Sequence, residues 1–402
     1  MTGRQPSGLV IGAGVCAALH VGKLPAALPA LRDALGVTLL QAGFLLSLVQ
    51  LAGMALGVAV GLLADGMGLR RTMITGLTLL AGASALGVWA DQASQLLLLR
   101  GVEGLGFLLA TMPAPGLIRR LVAPARLSAA LGMWSAFMPL GTALALLAGP
   151  LVIAVASWQA LWGALAALTA AMALSLSVLV PADARAGRGG VPAGWSVRLR
   201  KTLSSRGPWL VALCFAVYSA QWMSVIGFLP SVYSQAGLPA GWTAVATAVA
   251  AAVNIIGNVA SGRLLQRGVR PDRLLFAGYA AMGLGAWIAF GPLAAGLAAP
   301  DAAMVRYAAV LAFSMLGGMI PGTLFSMAVR LAPDEQTVST TVGWMQQWSC
   351  FGQFVGPPLV AWVAHRAGGW QGTWLVTGGC ALAGMGLAMG ARARLRAVIA
   401  HI

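Results

Sequence analysis

Residues 61–71 read Gly-Leu-Leu-Ala-Asp-Gly-Met-Gly-Leu-Arg-Arg, a short polar stretch between two long apolar ones. Neither residues 34–64 before its aspartate nor residues 72–90 after it contain Asp, Glu, Lys or Arg. Each apolar stretch is long enough to cross a bilayer, which takes about 20 residues. The glycines permit a tight turn, while Arg70 and Arg71 resist entry into lipid. We therefore predict a turn between two membrane helices at one face of the membrane.

Composition extends this prediction to the whole chain. The 402 residues are 59% hydrophobic and only 8% charged, whereas soluble proteins average about 25% charged residues. Four cysteines stand singly in apolar stretches, without the spacing of a disulfide framework or a metal site. The sequence also lacks a phosphate-binding loop and a catalytic triad. We expect an integral membrane protein that is not an enzyme and uses no cofactor or metal.

Charge-free stretches and turn residues divide the chain into twelve predicted membrane helices. Residues 127–182 and 207–262 are each too long for one span, so both are expected to be hairpins. The predicted helices are residues 8–30, 39–63, 72–90, 95–118, 128–152, 158–180, 208–233, 241–262, 273–295, 304–329, 338–363 and 370–391. Residues 183–206 are expected to link two halves, 1–182 and 207–402. Within this segment, Trp195 to Lys201 form either plain linker or an amphipathic helix on anionic lipid.

Basic residues fall mostly on one side of this arrangement. Most of the 25 Lys and Arg residues lie in the loops and termini that share a side with residues 61–71. By the positive-inside rule, that side is cytoplasmic and so are both termini. The net charge of +16 then reflects membrane orientation, and no nucleic-acid partner is expected.

Landmarks of the first half recur in the second half at a nearly constant offset. The matched pairs are Gly61 with Gly262, Arg100 with Arg306, Pro115 with Pro321, and Gly149 with Gly356. Ordered matches of this kind are typical of an internal repeat. We predict two homologous six-helix halves.

The opening stretch resembles the loop between helices 2 and 3 of the major facilitator superfamily, whose pattern is matched by Gly61, Asp65, Gly68, Arg70 and Arg71. This resemblance implies an all-α membrane protein, with twelve transmembrane helices in two pseudo-symmetric six-helix bundles around a central cavity. The five matching residues would then form a gate. It also implies that helix 2 slides against helix 11, the alternative being a static packing groove. The run Pro-Ala-Leu-Arg-Asp-Ala-Leu-Gly at 29–36 is similar to the cyanate and nitroimidazole transporter-like branch.

Few ionisable side chains fall inside the predicted spans, where each is costly and suggests a functional site. Helix 1 carries His20 and Lys23, helix 4 carries Arg100 and Glu103, and helix 10 carries Arg306 near one end. The helical rise puts Lys23 and Glu103 at a similar depth, so they can meet. An excess of basic groups predicts a positive cavity and an anionic substrate. The alternatives are a structural pair of Arg100 with Glu103, an Arg306 that reaches the interface, and a His20 that only completes a core hydrogen bond.

The segment Arg100-Gly101-Val102-Glu103-Gly104 resembles the fourth-helix motif of the same family, with Glu103 in place of the usual Gln. The resemblance implies a role for Arg100 in proton transfer, and we expect Glu103 to take up and release the proton. Uncharged polar groups of the second half, including Gln221 and Gln346, are predicted to hydrogen-bond the substrate.

These features predict a secondary transporter that moves a small anionic solute across a bacterial-type inner membrane by alternating access, with proton coupling. It is expected to act as a monomer in contact with lipid. One alternative is a proton-driven exporter of drugs or metabolites, although helix 5 lacks a close glycine series before Gly149-Pro150. Another is a membrane sensor, for which residues 183–206 are too short to supply a domain.

Overall fold

The computed structural model describes residues 5–36, 39–183, 194–292 and 299–399, and these residues form helices without any strand. The first half comprises α1 (Gln5–Leu35), α2 (Leu39–Met67), α3 (Leu69–Gly87), α4 (Ala93–Thr111), α5 (Ala114–Leu121), α6 (Leu127–Ser135), α7 (Phe137–Val155) and α8 (Trp158–Leu179). After α9 (Trp195–Ser204), the second half comprises α10 (Arg206–Gln235), α11 (Ala240–Ala252), α12 (Asn254–Gln266), α13 (Pro271–Phe290), α14 (Ala299–Gly317), α15 (Met319–Leu331), α16 (Val338–Ala367) and α17 (Thr373–Ile399). The predicted twelve-helix fold is confirmed.

Four of the twelve spans consist of two helices: α4 with α5, α6 with α7, α11 with α12, and α14 with α15. Three of these breaks lie four residues before a proline. A proline lacks the N–H that the carbonyl four residues earlier requires, and its ring crowds that carbonyl. The pairs are Thr111 with Pro115, Ser135 with Pro139, and Gly317 with Pro321. The break between α11 and α12 has no such proline, and nothing in the structure explains it.

Nine of the described spans are long and apolar enough to cross a membrane by hydropathy alone. The other three are α2, of which only the shorter piece Leu48–Val60 qualifies, α3 and α16. Helix α16 is more polar because it carries three glutamines, Gln346, Gln347 and Gln353. The polar side chains of α16 are therefore expected to make contacts inside the protein.

Two seams join the halves. In one, α2 packs along α16; in the other, α6 and α7 pack against α12 and α11. Glycines bring the backbones close: a Cβ on Gly57 would lie 2.7 Å from the Cβ of Gln347, and one on Gly132 would lie 3.1 Å from the Cα of Gly262. The expected contact between spans 2 and 11 is present, and their sliding stays a prediction.

One end of the molecule, which we call the basic face, carries the loops that follow α2, α5, α12 and α15. Polar contacts close this end between the halves. Arg119 forms an ion pair with Glu335 at 3.3 Å, and the Gln266 side chain donates to the Ala125 carbonyl at 3.0 Å. Helix α9 is fastened there too, because Lys201 Nζ donates to the Asp334 carboxylate at 2.8 Å. The predicted linker is thus partly helical, and its residues 184–193 lie outside the described residues.

Candidate functional site

A buried charged cluster lies inside the first half, made by His20 and Lys23 of α1 with Arg100 and Glu103 of α4. None of the four is more than 2% exposed. Glu103 stands between two cations: its Oε2 accepts a hydrogen bond from Arg100 Nη1 at 2.8 Å, and its Oε1 accepts one from the Lys23 ammonium group. Lys23 and Glu103 were expected to meet because they lie at a similar depth in the membrane, and this contact is present.

Neighbouring helices complete the surroundings of Lys23 and His20. Lys23 Nζ also donates to Ser84 Oγ of α3 at 2.9 Å and lies 4.3 Å from the ring centre of Trp162 on α8. His20 Nδ1 lies 3.3 Å from Lys23 Nζ, and His20 Nε2 lies 2.8 Å from Thr169 Oγ1 of α8. The cluster is thus enclosed by α3 and α8 as well as by its own two helices.

Arg100 ties the cluster to the backbone. Its Nη1 donates to the His20 carbonyl at 2.7 Å, and its Nε donates to the Leu45 carbonyl of α2 at 3.1 Å. Its Nη2 has no hydrogen-bond partner among the described residues. Because a buried guanidinium is stable only with such partners, Arg100 holds α1, α2 and α4 in register around Glu103.

A separate cavity of about 60 Å³ lies between the two halves. Its wall consists of amide, hydroxyl, aromatic and other apolar side chains, and no described residue on it is charged. Its polar and aromatic members include Gln50, Phe107, Ser135, Phe137, Tyr218, Ser219, Trp222, Asn254, Gln346, Ser349 and Gln353. We call this space the central cavity.

Gln50 joins the halves at the central cavity. Its Nε2 donates to Gln353 Oε1 at 2.9 Å, and Gln353 Nε2 donates to Ser349 Oγ at 3.2 Å. Ser349 in turn shares a hydrogen bond with Ser219 at 2.7 Å. Gln50 is 2% exposed, and its Oε1 has no partner among the described residues. A buried acceptor without a partner is costly, so this oxygen is available to a donor in the cavity.

The second half holds its part of the wall in place through Asn254. The Nδ2 of Asn254 donates to the Ser314 carbonyl at 2.6 Å and to the Tyr218 hydroxyl at 3.2 Å. Trp222 Nε1 donates to Ser314 Oγ at 3.3 Å. These shared partners orient the ring and hydroxyl of this wall.

The sequence matches a known family profile, and the architecture matches solved structures. The sequence profile of the Major Facilitator Superfamily matches residues 10–357. The chain belongs to the Major Facilitator Superfamily. No curated protein matches it in sequence.

Solved transporters share the fold of this superfamily member at low sequence identity. It is similar to FucP in the outward conformation, with a TM-score of 0.72, 16% identity, and coverage of 97% of this chain and 99% of that one. A structure of the E. coli fucose:proton symporter FucP gives a TM-score of 0.74 at 16% identity, with the same coverage. The proton:xylose symporter XylE gives a TM-score of 0.73 at 13% identity, with 94% of both chains covered. At these identities, the likeness concerns the fold.

Not all of the predicted site residues of this superfamily member meet. The expectation of a positive cavity is wrong for the described wall, because Lys23 and Arg100 lie within the first half, bound to Glu103. Gln346 lines the central cavity, as expected. Gln221 is buried but does not line it, and its Nε2 donates to the Val217 carbonyl of its own helix at 3.0 Å. Arg306 is exposed on α14, and the structure brings it to neither the cluster nor the cavity.

The superfamily loop between α2 and α3 is held by the end of α8. Gly68 has φ of 98°, which suits glycine, and Arg70 donates to the carbonyls of Leu176 and Ser177. The backbone N–H groups of Arg70 and Arg71 donate to the two oxygens of Asp183, both at 3.1 Å. A carboxylate at a helix N-terminus is stabilising. Gly61 and Asp65 lie in α2, and the role of this loop as a gate stays a prediction.

Sequence reasoning missed Ser84, Trp162 and Thr169 around the cluster, Gln50 at the cavity and Asp183 at the loop. The first three are ordinary residues of apolar helices, and no local pattern marks them. Gln50 had one signal, since it is an amide within a long apolar helix, where a polar group needs a partner. Asp183 was hidden because it opens a segment expected to be a linker.

Proposed function

We propose that this superfamily member is a proton-coupled symporter of a small uncharged solute rich in hydroxyl groups, such as a polyol or a monosaccharide. The observation that carries this proposal is the uncharged wall of the central cavity. The unpartnered Gln50 Oε1 can accept a hydrogen bond from a solute hydroxyl, while the rings of Phe137 and Trp222 offer apolar surface. Binding sites of this kind combine a few polar groups with aromatic walls.

An uncharged solute replaces the anion expected from the excess of basic residues in the predicted spans. An anion in the central cavity would need a cation on its wall, and the described wall has none. The nearest candidates from the sequence, Lys23 and Arg100, are already bound to Glu103. Lys23 also donates to Ser84, and Arg100 donates to the Leu45 carbonyl, so reaching an anion in the cavity would break hydrogen bonds inside the first half.

Proton coupling is assigned to the cluster around Glu103. Its members are ionisable, buried and close enough to exchange a proton, and such groups inside a membrane span are functional candidates. FucP and XylE, which share the fold, are both described as proton symporters. The chain is proposed to use the same driving force.

The basic face is proposed to be cytoplasmic, in an inner membrane with both termini on that side, because arginines concentrate there. We further propose that the protein acts as a monomer. Both walls of the central cavity come from one chain, so a second copy is not needed to complete the site.

A ligand screen by thermal unfolding of the purified protein tests the substrate class. The panel comprises neutral sugars including L-fucose and D-xylose, small carboxylates, and lipophilic cations. We expect stabilisation by an uncharged member, since a ligand that binds only the folded state raises its stability. Stabilisation by a carboxylate or a cation alone would overturn the uncharged-solute proposal.

Gln50→Leu sharpens the screen. Losing one buried hydrogen-bond partner costs about 1–3 kcal/mol, so affinity for the stabilising sugar should fall about 5- to 150-fold. Gln92→Leu is the matched control, because Gln92 is an exposed amide before α4 and should leave affinity unchanged. Equal affinity in wild type and Gln50→Leu would remove Gln50 from the site.

A further inference from the structure

The charged cluster contains one cation more than it can neutralise. Lys23 and Arg100 each form an ion pair with Glu103, and the contacts of His20 suit a neutral ring. With Lys23 protonated, the cluster therefore carries one net positive charge at sites no more than 2% exposed. Burying a net charge is expensive in protein and more so within a membrane.

The contacts of Lys23 suit its protonated form. An ammonium group has three hydrogens, and three acceptors surround Nζ: Glu103 Oε1, Ser84 Oγ and His20 Nδ1. The Ser84 hydroxyl donates its own hydrogen to the Trp162 carbonyl at 3.0 Å, which leaves its oxygen free to accept from Lys23. These three acceptors can hold Lys23 as an ammonium group, which is the proton-loaded form of this site.

Only one single-proton change lowers the buried charge. Protonating Glu103 or His20 would raise the cluster from one to two positive charges, and Arg100 does not release its proton in proteins. Loss of a proton from Lys23 instead leaves Arg100 paired with Glu103, which is a neutral pair. Among the described residues, the other titratable or charged groups facing Lys23 are those three. Helices α3 and α8 present Ser84, Trp162 and Thr169.

We propose that Lys23, and not Glu103, carries the transported proton, an inference that rests on the proposed proton coupling. In the release step, one N–H bond of the Lys23 ammonium group breaks, and the nitrogen keeps the electron pair as a neutral amine. The proton passes to a water molecule, which becomes a hydronium ion. Glu103 stays anionic throughout, held by Arg100.

His20 can serve both states of Lys23. While Lys23 is an ammonium group, His20 Nδ1 accepts from it and Nε2–H donates to Thr169. Once Lys23 is an amine, the other tautomer donates from Nδ1–H to the amine lone pair and accepts at Nε2 from the Thr169 hydroxyl. His20 is thus a positioning residue that keeps the hydrogen bonds satisfied without gaining a charge.

A structural link lets this proton act on the seam between the halves. Arg100 Nε binds the Leu45 carbonyl of α2, and Gly104 packs on α2 so closely that a Cβ there would lie 2.9 Å from the Val49 carbonyl oxygen. The same helix carries Gln50 and Gly57, which contact the second half. Lys23 and Arg100 share the carboxylate of Glu103. A change of charge at Lys23 therefore changes how strongly Glu103 binds Arg100, and Arg100 in turn contacts α2.

The chain offers a direct test because it contains two lysines, Lys23 and Lys201, and two glutamates, Glu103 and Glu335. In each pair one member lies in the cluster, whereas Lys201 and Glu335 are exposed at the basic face. Cell-free synthesis with 13C-labelled lysine and glutamate gives two side-chain NMR signals of each type. Lys201→Arg and Glu335→Gln assign them without touching the cluster.

The labelled wild-type protein is examined between about pH 6 and pH 9, on both sides of the working pH. We expect the Lys23 signal to change from the ammonium to the amine position, while Glu103 keeps its carboxylate position. Protonation of Glu103, or a Lys23 signal that does not move, would overturn the inference.

Solute accumulation in proteoliposomes, measured with and without a pH gradient, separates the two proposals. If the gradient drives accumulation but the NMR signal of Lys23 does not change with pH, only the role of Lys23 is overturned and the proposed coupling stands. Accumulation that ignores the gradient would overturn the proposed coupling itself.

Discussion

The ammonium group of Lys23 shows how a charged side chain can be held inside a membrane span. A carboxylate, a hydroxyl, an imidazole and an aromatic ring surround it, and each comes from within the first half. Such full coordination offsets part of the cost of desolvation. Because four helices meet at this one nitrogen, a change in its proton reaches each of them.

Lys23→Arg is expected to separate exchange from accumulation. Arginine keeps the positive charge but does not release its proton. The variant should still exchange labelled solute between the two sides without a gradient. Accumulation driven by a pH gradient should fall at least about 10-fold, equivalent to about 1.4 kcal/mol. The measurement is uptake into proteoliposomes of the sugar that stabilises the protein most.

Lys201→Arg provides the control, because Lys201 lies on α9 and pairs with Asp334 outside the cluster. Its accumulation and exchange should match wild type. A Lys23→Arg protein that accumulates solute as well as Lys201→Arg would contradict the role given to Lys23.

At the scale of helices, the seam of α2 with α16 depends on the absence of side chains. A Cβ on Gly57 would meet the Gln347 Cβ at 2.7 Å and the Gly343 carbonyl at 3.2 Å. Gln347 also accepts a hydrogen bond from the Val58 backbone at 3.0 Å. Small residues and a few polar bonds are what helix contacts in membranes rely on.

Gly57→Leu should open this seam at the basic face. Overpacking a tight contact costs about 1–3 kcal/mol, so the population closed at this face should fall about 5- to 150-fold relative to open states. Spin labels at Arg126 and Arg330, on opposite halves, would report longer distances. Gly82→Leu should leave the distances unchanged, because a Cβ on Gly82 meets nothing within 4 Å. Unchanged distances in Gly57→Leu would mean that the contact of α2 with α16 accommodates the larger side chain without destabilising the closed state.

Helix α9 contacts a carboxylate, Asp334, through the side chain of Lys201. The hydrogen bond from Lys201 lowers the pKa of Asp334 below its ordinary value of 3.8. A lowered carboxyl pKa gives stability that is present above the ordinary value and is lost as the pH falls through the folded one. The Asp334 carboxylate is therefore charged near neutral pH, and its protonation does not account for pH dependence of transport there.

At the scale of the whole molecule, the structure is closed at the basic face. Both glycine seams and the pair of Arg119 with Glu335 lie between the halves there. Alternating access requires this end to open while the opposite end closes. Transport is therefore expected to fail if the basic face cannot separate.

Cross-linking tests this expectation. Arg119→Cys and Glu335→Cys, joined by a short bifunctional thiol reagent, should stop solute transport, and cleavage of the reagent should restore it. Three of the four native cysteines are buried and the fourth is partly so, which limits side reactions. Each single cysteine variant treated with the same reagent should transport as before. Full cross-linking with normal transport would show that this face stays closed during the cycle.

The sequence alone determined the spans, their number and the repeat. Hydropathy over about 20 residues is a local property, and the backbone of each span satisfies its own hydrogen bonds in lipid. The helix breaks are not local in this sense: three lie four residues before a proline, yet Pro150, Pro230 and Pro357 lie inside continuous helices. The pairing of Lys23 with Glu103 was also within reach, because helical rise sets the depth of each residue.

Only the tertiary structure decided which way those charges face. Rotation of α1 and α4 about their axes is set by packing against α3 and α8, and it turns Lys23 toward Ser84 and Trp162 rather than toward the central cavity. The role of Gln50 at the cavity likewise depends on its hydrogen bond with Gln353, which is 303 residues away in the chain. Such contacts join the surfaces of separate helices. The hydropathy of one helix does not predict which side chains of a neighbouring helix will contact it.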